Sequence, residues 1–118
     1  MKAIEIIERV DALEPNQYNA AQKLDWLSQL DGQIFHELGS AVAEEMPAGY
    51  DTGNEELLVP FPDAEQVYGF YLRAMIALNN FETARYNQHI AMFDSAYGRF
   101  RDFCLRRGGF SGGGHFRI

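Results

Sequence analysis

The chain has 118 residues, 47% of them hydrophobic, with nine Phe, six Tyr, one Trp and a net charge of −7. Length and apolar content imply one self-supporting domain and exclude both a disordered chain and a disulfide-stapled fold, since Cys104 is the single cysteine. The negative sign disfavours simple binding to nucleic-acid phosphates, and no apolar run approaches the roughly 18 residues a membrane span needs.

The charge is unevenly placed. Residues 1–66 hold fourteen acids and three bases, −11, whereas residues 67–118 hold three acids and seven arginines, +4. Such segregation either suits head-to-tail or side-to-side packing of copies or merely solvates helix faces. Lys2 and Glu5 bring charge too early for a secretory signal, and one thiol fits a reducing compartment. The expectation is a soluble protein made in the cytoplasm.

In chain order, residues 2–13 read as a first helix, with Ile6, Val10 and Leu13 on one face and Ile7 beside them. Pro15 ends it. Asn19, with Gln22 three residues on, matches a capping box. It opens a second helix over 20–43 with Leu24, Leu27, Leu30, Ile34, Leu38, Ala41 and Val42 as its stripe. Trp26 and Phe35 flank that stripe, and Gly32 and Gly39 read as tolerated interior glycines.

Residues 44–56 form a long acidic loop with a proline and two glycines, of the length that is usually functional or mobile. Leu57–Pro62 is then a short apolar segment, expected to lie across the bundle as a lid or to pair as an edge strand with a neighbouring copy. Asp63 and Gln66 predict the cap of a third helix over 63–79. Its face is Val67, Tyr71, Ala74, Met75 and Leu78, with Tyr68 and Leu72 alongside. Asn80 is expected to cap a fourth helix over 81–107, giving a tight αα-hairpin.

That last helix has the strongest pattern. Tyr86, Ile90, Phe93, Tyr97, Phe100 and Cys104 recur at spacings of four and three, and Met92, Ala96 and Phe103 widen the stripe. Phe93, Tyr97 and Phe100 are expected in the core. Residues 1–107 thus predict an all-α, small four-helix bundle. Residues 108–118 predict a flexible glycine-rich tail in which Phe110, Phe116 and Ile118 would be idle unless they dock onto something.

The residues for chemistry are sparse. His36, His89 and His115 lie far apart with no metal-ligand pattern, so no metal site is expected. Cys104 falls on the apolar seam, which argues for a buried thiol and against a nucleophile. Glu44-Glu45 and Glu55-Glu56 are adjacent pairs that do not face one another. The glycine-rich tail lacks the lysine and hydroxyl of a phosphate loop. The expectation is a protein without catalytic residues or cofactor.

Several short pieces occur in a telling order: Arg9-Val10-Asp11 with Leu13 and Pro15-Asn16; Gln22 to Leu27; Glu56 to Pro60; Tyr71-Leu72; Tyr86-Asn87; and Met92-Phe93 with Ala96-Tyr97 and Phe100. Over roughly residues 4–103 the chain resembles the head–tail connector, or adaptor, proteins of tailed phages and prophages. The glycine run after Arg107 departs from that pattern. The resemblance implies a virion neck protein that forms a ring, often of twelve copies, beneath the portal. Such a ring extends the DNA channel without gripping DNA and offers a platform to the next neck or tail protein. The alternative from another class is a small acidic regulatory protein that occupies a DNA-binding partner.

For contact between copies, the charge split and the short apolar segment nominate Leu57, Leu58, Val59 and Phe61 on one subunit. The arginine-bearing surface around Arg99, Arg101 and Arg106 is nominated on the next. Burial of the apolar side chains would supply most of the energy and the charges the registry. Each contact would be small, so the free subunit is expected to stay monomeric until the portal templates the ring.

Overall fold

A computed structural model describes residues 1–108. It is all-α, with helices α1 (Ala3–Leu13), α2 (Ala20–Leu38), α3 (Asp63–Asn79) and α4 (Thr83–Gly108), and a short 3-10 turn at Gly39–Ala41. The expected α3 boundaries match. The tail residues Phe110, Phe116 and Ile118 lie outside the described residues.

Local chemistry explains most of the helix ends. Asn19 accepts the Gln22 N–H at 2.8 Å while the Gln22 side chain accepts the Asn19 N–H at 3.2 Å, so the capping box forms as read. α2 stops at Leu38, five residues early, because Gly39 adopts φ +53 and turns the chain out of the helix. Gly39 is therefore a terminator, not a tolerated interior glycine. Asp63 is the first helical residue of α3 and not its cap; Pro62 holds the capping position without a side-chain bond. Asn80 likewise closes α3, and α4 begins at Thr83.

α3 is the central helix. Salt bridges Arg9–Glu65 at 2.8 Å and Arg73–Glu14 at 3.2 Å fix α1 parallel to it on one side. α4 returns antiparallel on the other side, in the most extensive pairing of the molecule. α2 also packs against α1, α3 and α4. A helix with three neighbours buries most of its circumference. Tyr68, Leu72, Ile76 and Ala77 are therefore buried, although the predicted stripe centred on Tyr71 and Met75, and Leu78 faces solvent. α4, leaning chiefly on α3, keeps a narrow seam. Phe93, Phe100 and Cys104 are buried and Tyr97 is half-buried, while Met92 and Phe103 stay outside. The rings of Phe93 and Tyr97 lie parallel with centroids 5.8 Å apart, and Tyr97 donates to Glu37 on α2.

The connection from α2 to α3 is the least regular and the most tightly tied. Its backbone closes the start of α1: the N–H groups of Ala3 and Ile4, which no helix can satisfy internally, donate to Glu55 O at 3.0 Å and Gly53 O at 2.8 Å. Gly53 has to be glycine, since it sits at φ +91 and a Cβ there would meet Ile4 Cβ at 3.0 Å. Glu55 turns its carboxylate inward on its own loop and accepts the N–H groups of Asp51, Thr52 and Gly53. Those bonds hold its titration down to about 2.

Candidate functional site: interaction surfaces around the central helix

The four apolar residues nominated for a neighbouring subunit divide. Leu57 is 4% exposed and Val59 is 0%, both inside the chain's own core, so neither is available to another copy. Within the chain the segment packs as a lid on the bundle, and among the described residues the one β-bridge joins Lys2 and Glu56. Leu58 is half-buried, and only Phe61, at 65%, stands free.

The reason is Asp31. This carboxylate is 0% exposed and has no cationic partner among the described residues. It accepts the Tyr68 hydroxyl on Oδ1 and the Tyr50 hydroxyl on Oδ2, both at 2.5 Å, and the Leu58 N–H on Oδ2 at 3.0 Å. The Val59 N–H in turn donates to the Tyr68 hydroxyl at 2.8 Å. Two consecutive amides of the lid are thus secured on a hub shared by α2 and α3. Burial raises the Asp31 carboxyl above its ordinary value, partly offset by the two phenols and the amide. The same burial and the adjacent carboxylate push both phenols up.

The arginines expected opposite that segment lie on the second half of α4. Arg99 bonds Gln66 at 2.9 Å and Ser95 at 3.2 Å, Arg101 reaches over the Tyr97 ring and towards Asp102, and Arg106 is exposed in the last turn. Gln66 belongs to the first turns of α3, so the lid and these arginines sit at the same end of one molecule. Some of the charge split is also neutralised internally: Arg73, from the basic half, pairs with Glu14 from the acidic half.

Sequence reasoning passed over the outer face of α3. Between α1 and α3 lies a cavity of about 440 Å³, lined mainly by Ile6, Val10, Leu13, Gly69 and Phe70, with the Arg9–Glu65 pair and Arg73 also on its wall. Leu13 is 70% exposed. A second, more polar groove of about 550 Å³ adjoins it between α3 and α4 and shares Phe70 and Arg73. It holds Glu14, Arg85 and Met92, and also His89, whose Nε2 is buried 3.5 Å from Glu14 and makes no hydrogen bond. Burial and Arg73 lower the His89 titration, against the opposing pull of Glu14.

The third surface is the α3–α4 turn. Phe81 N–H donates to Leu78 O at 3.1 Å and Glu82 N–H to Ala77 O at 2.9 Å. That bond pair is a Schellman closure whose left-handed position is normally glycine. Here it is Phe81, at φ +60 and 92% exposed. Leu78, also exposed, flanks it. The phenylalanine following Asn79-Asn80 was the sequence signal for this face.

Among the described residues, no group of three or more His, Cys, Asp or Glu side chains could hold a metal, and no helix is long and apolar enough to cross a membrane. Cys104 is buried, with its thiol titration raised by that burial. Compared with protein-family models, curated proteins and solved structures, the chain matches none.

Proposed function

We propose that this chain is an assembly protein of the virion neck, a head–tail connector that docks beneath the portal and beside copies of itself, and receives the next neck or tail protein. The ordered set of short sequence pieces motivates the connector reading. The observation that carries an assembly role is the division of the surface. The core is closed, yet Leu13, Phe61, Leu78, Phe81, Met92 and Phe103 stand in solvent at the outer grooves, the hairpin tip and the lid end. Exposed apolar side chains that gather into a patch mark protein interaction sites, and Leu78 with Phe81 at the hairpin tip forms such a group. The net charge of −7 suits a channel wall that must let DNA pass. This reading requires a portal protein encoded in the same genome, and that protein provides the test. Purified chain and portal, mixed and imaged by electron microscopy, should give portal rings carrying an added layer. Failure to bind the portal, with one-to-one capture of a DNA-binding protein instead, would favour the acidic regulatory alternative.

A further inference from the structure

We propose that His89 is an acid-sensitive latch: its neutral ring lets the first half of α4 close on α3 and on the end of α1, and protonation of the ring releases that half. The device is built from contacts inside one chain, so it stands apart from the assembly reading above.

The imidazole is enclosed. His89 is 7% exposed, at the edge of the groove between α3 and α4. The Phe70 ring of α3 lies beside it, with centroids 6.4 Å apart. Its Nε2 is fully covered, makes no hydrogen bond among the described residues, and faces the Glu14 carboxylate at 3.5 Å. Buried polar atoms nearly always have a partner, so an orphaned one needs a reason. Here the partner is in place but engaged: Arg73 Nε approaches the same Glu14 oxygen at 3.2 Å. Glu14 is the residue that closes α1. α1 and α4 do not pack along each other, so the approach of His89 to Glu14 links two elements that α3 otherwise holds apart.

The charges decide which form the closed state takes. Facing the ring are Glu14 from the end of α1, Arg73 from α3 and Arg85 from one turn earlier on α4, and α2 contributes no charge to this groove. A proton on His89 would set three cations around one carboxylate, away from water. Burial and Arg73 therefore hold the ring neutral and its titration below the usual histidine value, against the pull of Glu14. Loosening of α4 around His89 returns the ring to water and takes it away from Arg73. The sign follows. The unfolded chain binds this proton more readily than the folded one. The stability that the neutral ring contributes is thus complete above the ordinary value of 6.5 and is lost as pH falls from there toward the folded titration. Acid opens the latch.

The test follows the histidine ring signals by NMR from neutral pH to about pH 5, the range in which histidine switches act. The His89 signal is assigned by its loss in His89→Phe. It should titrate below the same residue in urea-unfolded chain. Glu14→Gln removes the attracting carboxylate and should shift it lower still, whereas Arg73→Gln should shift it up. Amide exchange, corrected for its intrinsic pH dependence, reads the release. Across residues 85–92 of wild type it should accelerate about tenfold per pH unit between the unfolded and folded titrations, and exchange in α2 should not follow. His89→Phe keeps a ring there but takes no proton, so its exchange across 85–92 should stay flat. His89→Gln serves the same purpose if His89→Phe does not fold. A His89 that titrates at or above its unfolded value would overturn the proposal. So would acceleration across 85–92 that is equal in wild type and the folded His89 variant, or a Glu14→Gln protein in which the titration rises.

Discussion

The two connections that flank α3 are opposites. The connection before it is about twenty residues long, acidic and irregular, yet it closes α1, fills the core with Leu57 and Val59, and is bolted to Asp31. The connection after it spans three residues, yet it carries a phenylalanine in the left-handed region with its ring in water. Connection length is therefore a poor guide to which one is structural. What decides is where the backbone N–H groups go and whether the large side chains are covered.

The sharpest way to break the contrast is at the hub. Asp31→Ala leaves two phenols and the Leu58 amide without their acceptor, each worth about 1–3 kcal/mol when buried unpaired, so a loss of about 3–5 kcal/mol is expected by urea denaturation. Amide exchange at Leu58 and Val59 should accelerate more than exchange in α4. Uniform acceleration would mean that the lid does not depend on Asp31.

Next comes a pair of phenylalanines on the hairpin. Phe93→Ala, in the stem against Tyr71 and Tyr97, should cost about 3 kcal/mol by creating a core cavity. Phe81→Gly, at the tip, should instead gain about 1 kcal/mol by relieving the left-handed backbone. Melting temperatures measured on dilute protein, where association is absent, check both. A destabilised Phe81→Gly would show that the ring serves its own fold.

The smallest effect concerns pH and has two signs at one connection, from its own Glu55 and from Asp31 on α2 beneath it. Glu55 titrates near 2 when folded, below its usual 4.5, so it supports the fold above that usual value and its support fades as pH falls toward 2. Asp31 is raised by burial, so its contribution is complete below the unfolded carboxylate value and diminishes as pH rises through the folded one. Urea midpoints taken stepwise through the acid range should flatten in Glu55→Gln and steepen in Asp31→Asn. Parallel behaviour of the two variants would refute the opposite signs.

Helix number and type were legible because each helix carries an apolar stripe and some carry a cap, as at Asn19 and Gln22. The all-α bundle follows from those alone. The role of Leu57–Phe61 was not legible, because a five-residue apolar run reads the same whether it enters its own core or a neighbour's. Asp31 was within reach. It falls four residues after Leu27 and three before Ile34, squarely on the buried stripe, and an acid there signals a built-in hydrogen-bond hub. Without weight on Asp31, nothing separated a lid on the bundle from a strand paired with a neighbouring copy. The cavity beside Phe70 was not legible at all, since it depends on how α1 and α3 settle against each other.

Lys23 has a practical consequence of its own. It is 2% exposed with its ammonium on Asp11 at 2.7 Å, and the chain has just one other lysine, Lys2. Amine-directed acylation of the folded protein should therefore modify Lys2 and the Met1 α-amine, both at one end, and spare Lys23. Lys2 lies at the lid end of α1, and α1 runs parallel to α3, so the label falls at the end remote from Phe81. A fluorophore attached by this route would report on meetings between copies from that end of the molecule.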